Sequence, residues 1–416
     1  MTGSRETTGA VLRRIAPSAL LPALIYEIGN GAITPVLALV AIDEGASTAI
    51  AGLMLSLSGI GRILGDVPAA WLANKLGDRR AMMVAAALTA LALGLNWAVP
   101  DLWAMTVAQL IIGACNATFY LARQTYVSSV VRVDLRARAL STLAGAHRVG
   151  LFLGPFIAAV AIGLWGARAA FGVAIAATLC VGVLLLTVPD EEEATDRPRA
   201  EDRTRVSAMY TAHKDLFWTL GAAVLLVGAV RGARQTVLPL WAGHIGMSAT
   251  ETSLIFGVAN AVDMSLFYPA GHVMDRFGRL AVAVPSMLFL GAGMMLLPLS
   301  HGIVLLGASA IVMSFGNGIG SGIMMTIGSD VAPPGDRTTF LSLWRLLSDS
   351  GNALGPLVPA LIAGFAPLGL GIVVTGVLGL GAAGGLARWL PRFSTYATVR
   401  MAREHQRRLA AADSAG

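Results

Sequence analysis

Eleven ionisable side chains stand inside long apolar runs of the sequence: Glu27, Arg62, Asp66, Arg123, His147, Arg148, Arg231, Arg234, Asp263, Arg345 and Asp349. Each costs at least about 2.5–3.5 kcal/mol at mid-bilayer on insertion scales, so each needs a partner and is a functional candidate. Groups of these types can carry protons, form ion pairs or hold an anion. Glu27 is the one carboxylate in the first apolar run well away from both its ends, which makes it the candidate proton site, with Arg123 as its candidate counter-charge. Arg231 and Arg234, spaced by three, share a helix face and with Arg148 would attract an anion. Snorkelling to an interface is the alternative, above all for Arg234. Tyr26, Asn30, Asn116, Tyr120, Gln124, Gln235 and Trp241 are either lining groups for an amphipathic ligand or polar contacts between helices.

Other chemistries have little footing. No Gly-x-x-x-x-Gly-Lys-Ser/Thr loop is present to hold a nucleotide, and neither a metal-ligand cluster nor a nucleophile triad can be traced, so no cofactor and no enzymatic activity are expected. His147 and His301 are isolated, and His147 reads as a packed polar residue beside Arg148. Cys115 and Cys180 lie in apolar runs and read as small hydrophobes.

The elements that must position these groups are membrane helices. Of 416 residues, 56% are hydrophobic and 13% charged, against about 25% charged in a soluble protein. The mean hydropathy of +0.71 points the same way. Crossing about 30 Å of hydrocarbon takes roughly 20 apolar residues. Twelve stretches qualify: 16–42, 50–73, 80–99, 102–128, 139–163, 168–188, 216–242, 250–273, 280–299, 302–329, 338–365 and 367–390. If both termini share one side, 23 of the 30 Lys and Arg residues lie on that side, counting Arg80 and Arg388 at span ends, one (Arg168, also at a span end) on the other and six well inside the spans. Basic residues accumulate in cytoplasmic loops. The expectation is a multi-pass, monomeric protein of the cell membrane with both ends cytoplasmic. Its net charge of +6 then reports topology and lipid contact, not nucleic acid. Arg400, Arg403, Arg407 and Arg408 read as a tail lying on anionic lipid.

A shift of 201 residues superposes one half of the chain on the other. Gly31, Gly45, Pro68, Gly77, Asn116, Gly150, Gly154 and Pro155 meet Gly232, Gly246, Pro269, Gly278, Asn317, Gly351, Gly355 and Pro356. The chain therefore reads as an N-terminal six-helix bundle (1–188), a polar cytoplasmic and mobile linker (189–214), a C-terminal six-helix bundle (215–390) and a tail (391–416). The shift also sorts charge: Arg62 falls on Asp263 and Arg148 on Asp349, equivalent places with opposite signs.

In these features the chain resembles the major facilitator superfamily over nearly its whole length. The loop motif Gly-x-x-x-Asp-Arg-x-Gly-Arg-Arg of that family is matched by Ala70-x-x-x-Asn74-Lys75-x-Gly77-Asp78-Arg79-Arg80 and, more closely, by Gly271-x-x-x-Asp275-Arg276-x-Gly278-Arg279. Gly150-x-x-x-Gly154-Pro155-x-x-Ala158-Ala159 is similar to the antiporter signature of proton-linked drug exporters, which ends in two glycines. Gln109 stands where the helix 4 motif of those exporters has an arginine.

The resemblance implies an all-α membrane fold, two pseudo-symmetric bundles around a central cavity lined in part by helix 1. It also implies that helix 2 faces helix 11, and helix 5 helix 8. On that basis Arg62 would pair with Asp349, Asp66 with Arg345 and Arg148 with Asp263, as a gate between the halves. Intrahelical Arg62–Asp66 and Arg345–Asp349 pairs are the alternative. The leading expectation is proton-coupled export of a small amphipathic drug or metabolite. An organic-anion carrier with an arginine-lined site comes second, and a lipid transporter or receptor third.

Overall fold

The computed structural model describes residues 8–187, 206–333 and 337–404, and every regular element among them is helical. The first half contains α1 (Leu21–Ile33), α2 (Thr48–Leu76), α3 (Asp78–Ala98), α4 (Leu102–Val130), α5 (Val133–Trp165) and α6 (Ala169–Thr187). The second contains α7 (Ala222–His244), α8 (Ala249–Phe277), α9 (Leu280–Leu296), α10 (Ile303–Ile319), α11 (Arg337–Leu354) and α12 (Leu368–Phe393). Among the described residues, eleven helical stretches are long and apolar enough to cross a membrane.

The twelfth expected span, 338–365, is not one helix. It is divided at Gly355–Pro356 into α11, which carries Arg345 and Asp349, and a short helix Leu357–Ala363. The same Gly-Pro pair at 154–155 leaves α5 continuous, so the dipeptide alone does not dictate the break. Two further spans are interrupted. A turn around Pro35 separates α1 from Leu37–Asp43, and Gly322, at φ +79°, separates α10 from Ile323–Val331. Proline lacks the N–H that a helix needs, and glycine alone adopts positive φ without penalty.

The 201-residue repeat is present in the backbone. The bounds of α2 map onto those of α8, and the π-helical turn Ala16–Leu20 onto Phe217–Gly221. Ser47 caps α2 through its Oγ. Its equivalent Ser248 forms a reciprocal capping box with Glu251 at the start of α8.

Contacts divide the chain into two compact units. One comprises the described residues of 1–197 with Ala242–Val258, the other those of 198–241 and 259–416. Of the expected linker, Val206–Ala212 is helical; 188–205, with its acidic run and expected mobility, lies outside the described residues, as do Arg407 and Arg408.

Helices in lipid associate by close packing rather than by hydrophobic drive, which places small residues at crossings. In the first unit, a Cβ at Gly150 would collide with the Leu24 carbonyl and stand 2.7 Å from Glu27 Cβ, while one at Gly154 would collide with the Ile28 carbonyl. In the second unit Gly351 and Gly355 press on the Leu225 and Ala229 carbonyls, each residue 201 further along. Elsewhere in the first unit Tyr26 stacks on Phe119, with centroids 4.2 Å apart, amid Met82, Ala85, Val181 and Leu185. Apolar residues such as Leu64, Val67, Leu91, Val160 and Leu164 point outward, and Trp103 and Trp165 stand exposed at helix ends. That is the surface a protein presents to lipid and its interfaces.

Candidate functional site

The glycine contacts between α1 and α5 decide what Glu27 meets. His147, Gly150 and Gly154 occupy one face of α5, and that face lies on α1. His147 Nδ1 is 2.8 Å from Glu27 Oε1. One turn along α1, Asn30 Nδ2 donates to Glu27 Oε2 at 3.0 Å and lies 3.4 Å from Asn116 Oδ1. Glu27 is buried, whereas the His147 side chain stays about one-third exposed. Both carboxylate oxygens therefore have close partners.

Arg123, expected as the counter-charge, lies within electrostatic reach of Glu27 but makes no salt bridge with it at contact distance. It is 2% exposed, and its guanidinium carbon lies 5.8 Å from the ring centroids of Phe119 and Tyr120, one turn back on α4. Its Nε and Nη1 have no hydrogen-bond partner. Arg62, from α2, approaches the same Tyr120 ring at 5.1 Å. Asn116, Tyr120 and Gln124, spaced by four, form a half-buried stripe on α4. Tyr26, expected among the lining groups, packs within the first unit, its hydroxyl 3.2 Å from Thr89 Oγ1.

In the second unit Asp263 Oδ2 accepts from Asn317 Nδ2 at 2.9 Å, with Arg234 Nη2 at 3.9 Å. Arg234 also donates to Ser314 Oγ at 3.0 Å and is buried, so it does not snorkel. Arg231 Nη2 reaches the Asn317 carbonyl at 3.4 Å. Gln235 is exposed. The Trp241 indole donates to the Ser300 carbonyl and Oγ at 3.1 and 3.0 Å, a polar contact between helices. Arg345 Nε lies 3.3 Å from Asp349 Oδ2 on the same helix, the intrahelical alternative. Asp66 is exposed on α2, and Arg148 is half-buried on α5.

The two motif loops turn at Gly77 and Gly278, with φ of +83° and +88°. Arg79 donates to the Leu185 and Leu186 carbonyls at 2.7 and 3.1 Å, which caps the end of α6. Asn74 is exposed. In the second loop Arg279 pairs with Asp330 at 2.8 Å, lies 3.7 Å from the exposed Asp275 and covers the Tyr396 ring at 5.1 Å. Arg276 lies over its neighbour Phe277 at 5.3 Å. Among the described residues no cluster could hold a metal ion.

Two partners escaped the sequence reading. His147 was traceable, because it shares a helical face with the Gly-x-x-x-Gly run that packs on α1. Asp330 carried no such signal, since it lies far from Arg279 in sequence, on the short helix Ile323–Val331.

Comparison with known proteins bears on the whole chain. A family model described as Major Facilitator Superfamily matches residues 20–356 and 220–406. An MFS-type transporter, YqjV of Bacillus subtilis (strain 168), is 22% identical over 357 residues, 84% of this chain and 83% of the relative. The multidrug resistance protein MdtG of Proteus mirabilis (strain HI4320) is 23% identical over 38% of this chain and 40% of its own. Among solved structures, a bacterial homologue of the human lysosomal transporter Spinster, inward-facing and unoccupied, superposes with a TM-score of 0.73 at 16% identity, covering 94% of this chain and 98% of that one.

Proposed function

The chain belongs to the major facilitator superfamily of transporters, and on that premise we propose that it is a proton-coupled secondary transporter exporting small amphipathic molecules across the cell membrane. The observation that carries the reading is Glu27, a buried carboxylate held 2.8 Å from an imidazole in helices that alternating access must rearrange. Loading a proton on the carboxylate removes the charge it presents to the imidazole. The two states differ in charge, so they differ in how strongly α5 holds α1. The direction of transport rests on the Gly150–Pro155 segment, similar to the exporters' signature, and on the likeness to a multidrug resistance protein. The distribution of Lys and Arg supports cytoplasmic termini.

The test is purified protein in liposomes, with anionic, neutral and cationic amphipathic dyes screened for movement driven by a pH gradient. Glu27→Gln should abolish gradient-driven movement and spare exchange between equal pH values. Undiminished gradient-driven movement in that variant refutes the reading.

A second reading, an organic-anion carrier working by uptake or exchange, is favoured by one observation. Arg123 is a buried guanidinium with two nitrogens lacking an acceptor.

A further inference from the structure

Buried ionised groups are ordinarily paired or hydrogen-bonded, and an arginine cannot escape the cost by losing its proton. Arg123 meets that requirement only in part. The faces of Phe119 and Tyr120 supply cation–π attraction, but Nε and Nη1 point at no acceptor. Glu27 acts on Arg123 electrostatically but has its Oε1 on His147 and its Oε2 on Asn30, and it accepts from neither of these nitrogens. A second guanidinium, that of half-buried Arg62, approaches the same Tyr120 ring from α2. Two positive charges gathered round one ring repel each other, and in a low-dielectric interior that repulsion is poorly screened. An oxyanion set between them would satisfy the open N–H groups and offset the repulsion, and the planar guanidinium fork matches carboxylate and phosphate oxygens.

We propose that Arg123, Arg62 and Tyr120 form the binding site for the oxyanion, carboxylate or phosphate, of an organic substrate. This rests on the chain being a transporter and deepens the second reading above; it is independent of whether Glu27 carries a proton. Arg123 is the recognition group, Tyr120 the platform that holds both guanidiniums, and Arg62 the second charge. Asn116, one turn from Tyr120 on α4 and 3.4 Å from Asn30 on α1, ties this stripe to the helix that carries Glu27.

The experiment is equilibrium binding of radiolabelled benzoate and of inorganic phosphate to the purified full-length protein at one fixed pH, with no gradient. Neutral benzamide is the competitor. The wild type should bind at least one of the two anions saturably, and benzamide should not compete. Benzoate alone assigns a carboxylate, phosphate alone a phosphate. Arg123→Gln should lower affinity at least tenfold, and Arg62→Gln and Tyr120→Leu, which removes the ring, at least threefold, whereas Gly163→Ala, with open space around it, should stay within twofold. Melting should rise with the bound anion in the wild type and not in Arg123→Gln, and the unliganded variant should melt no lower than the wild type, because it loses an unsatisfied charge. Absence of binding by both anions overturns the proposal, as does an Arg123→Gln affinity within twofold of wild type or a folded variant still stabilised by the anion. Because no gradient is applied, failure here leaves the proton reading standing, and failure of Glu27→Gln to uncouple transport leaves this site standing.

Discussion

Replacing Glu27 by Gln keeps the side-chain volume and an oxygen for the Asn30 amide, and removes one charge and one proton site. The expected size of the effect follows from the number of protons carried. Glu27 is the one group proposed to carry a proton, so one proton is loaded per cycle. With membrane potential clamped at zero, a gradient of one pH unit then supplies about 1.4 kcal/mol, a substrate ratio of about tenfold at steady state. In liposomes the wild type should approach that ratio and Glu27→Gln a ratio of about one, while exchange at equal pH proceeds in both. His147→Asn provides the internal check, since it removes the close partner and keeps the carboxylate. The steady-state ratio depends on stoichiometry and should remain about tenfold, with only the rate altered. A Glu27→Gln ratio within twofold of wild type would refute the assignment, and a hundredfold ratio in the wild type would refute a single coupled proton.

Other expectations concern packing and loops. Gly150→Ala drives a methyl group against the Leu24 carbonyl and Glu27 Cβ and should cost about 1–3 kcal/mol in detergent unfolding, whereas Gly163→Ala, with open space around it, should be neutral or slightly stabilising. Equal effects would show that the α1–α5 crossing is not tight. Removing either Arg279 or Asp330 strands the other in a largely buried site, so each single variant should lose about 3 kcal/mol, and a double-mutant cycle should show strong coupling. Additivity within about 0.5 kcal/mol would contradict it. Trp241→Phe deletes the donor to Ser300 and should cost about 1 kcal/mol; an unchanged melting curve would mean that those bonds contribute nothing. Finally, an anion near Arg123 repels an ionised Glu27, so benzoate binding that tightens in Glu27→Gln would mean that anion and proton travel together. That result would favour uptake over export by exchange.

The loop glycines and the crossing glycines were legible because each is a local requirement repeated at one offset. Positive φ at Gly77 and Gly278 needs glycine whatever surrounds it. The candidate site was half legible. Glu27 stood out as a carboxylate among apolar neighbours, but its contact with His147 did not, because that contact depends on the α1–α5 crossing. Arg234 looked free to reach an interface, and its burial against Ser314 depends on where α10 lies.

Composition and periodicity by themselves determined that this is a duplicated set of membrane helices, since hydrocarbon admits only internally bonded backbone and a repeat of 201 residues brings glycines and prolines of one half onto those of the other. Which charges neutralise each other was decided only in three dimensions. Side chains one helix turn apart on different helices meet or miss according to crossings a few ångströms deep, and those crossings are set by backbone contacts at Gly150 and Gly154 that no count of charges contains.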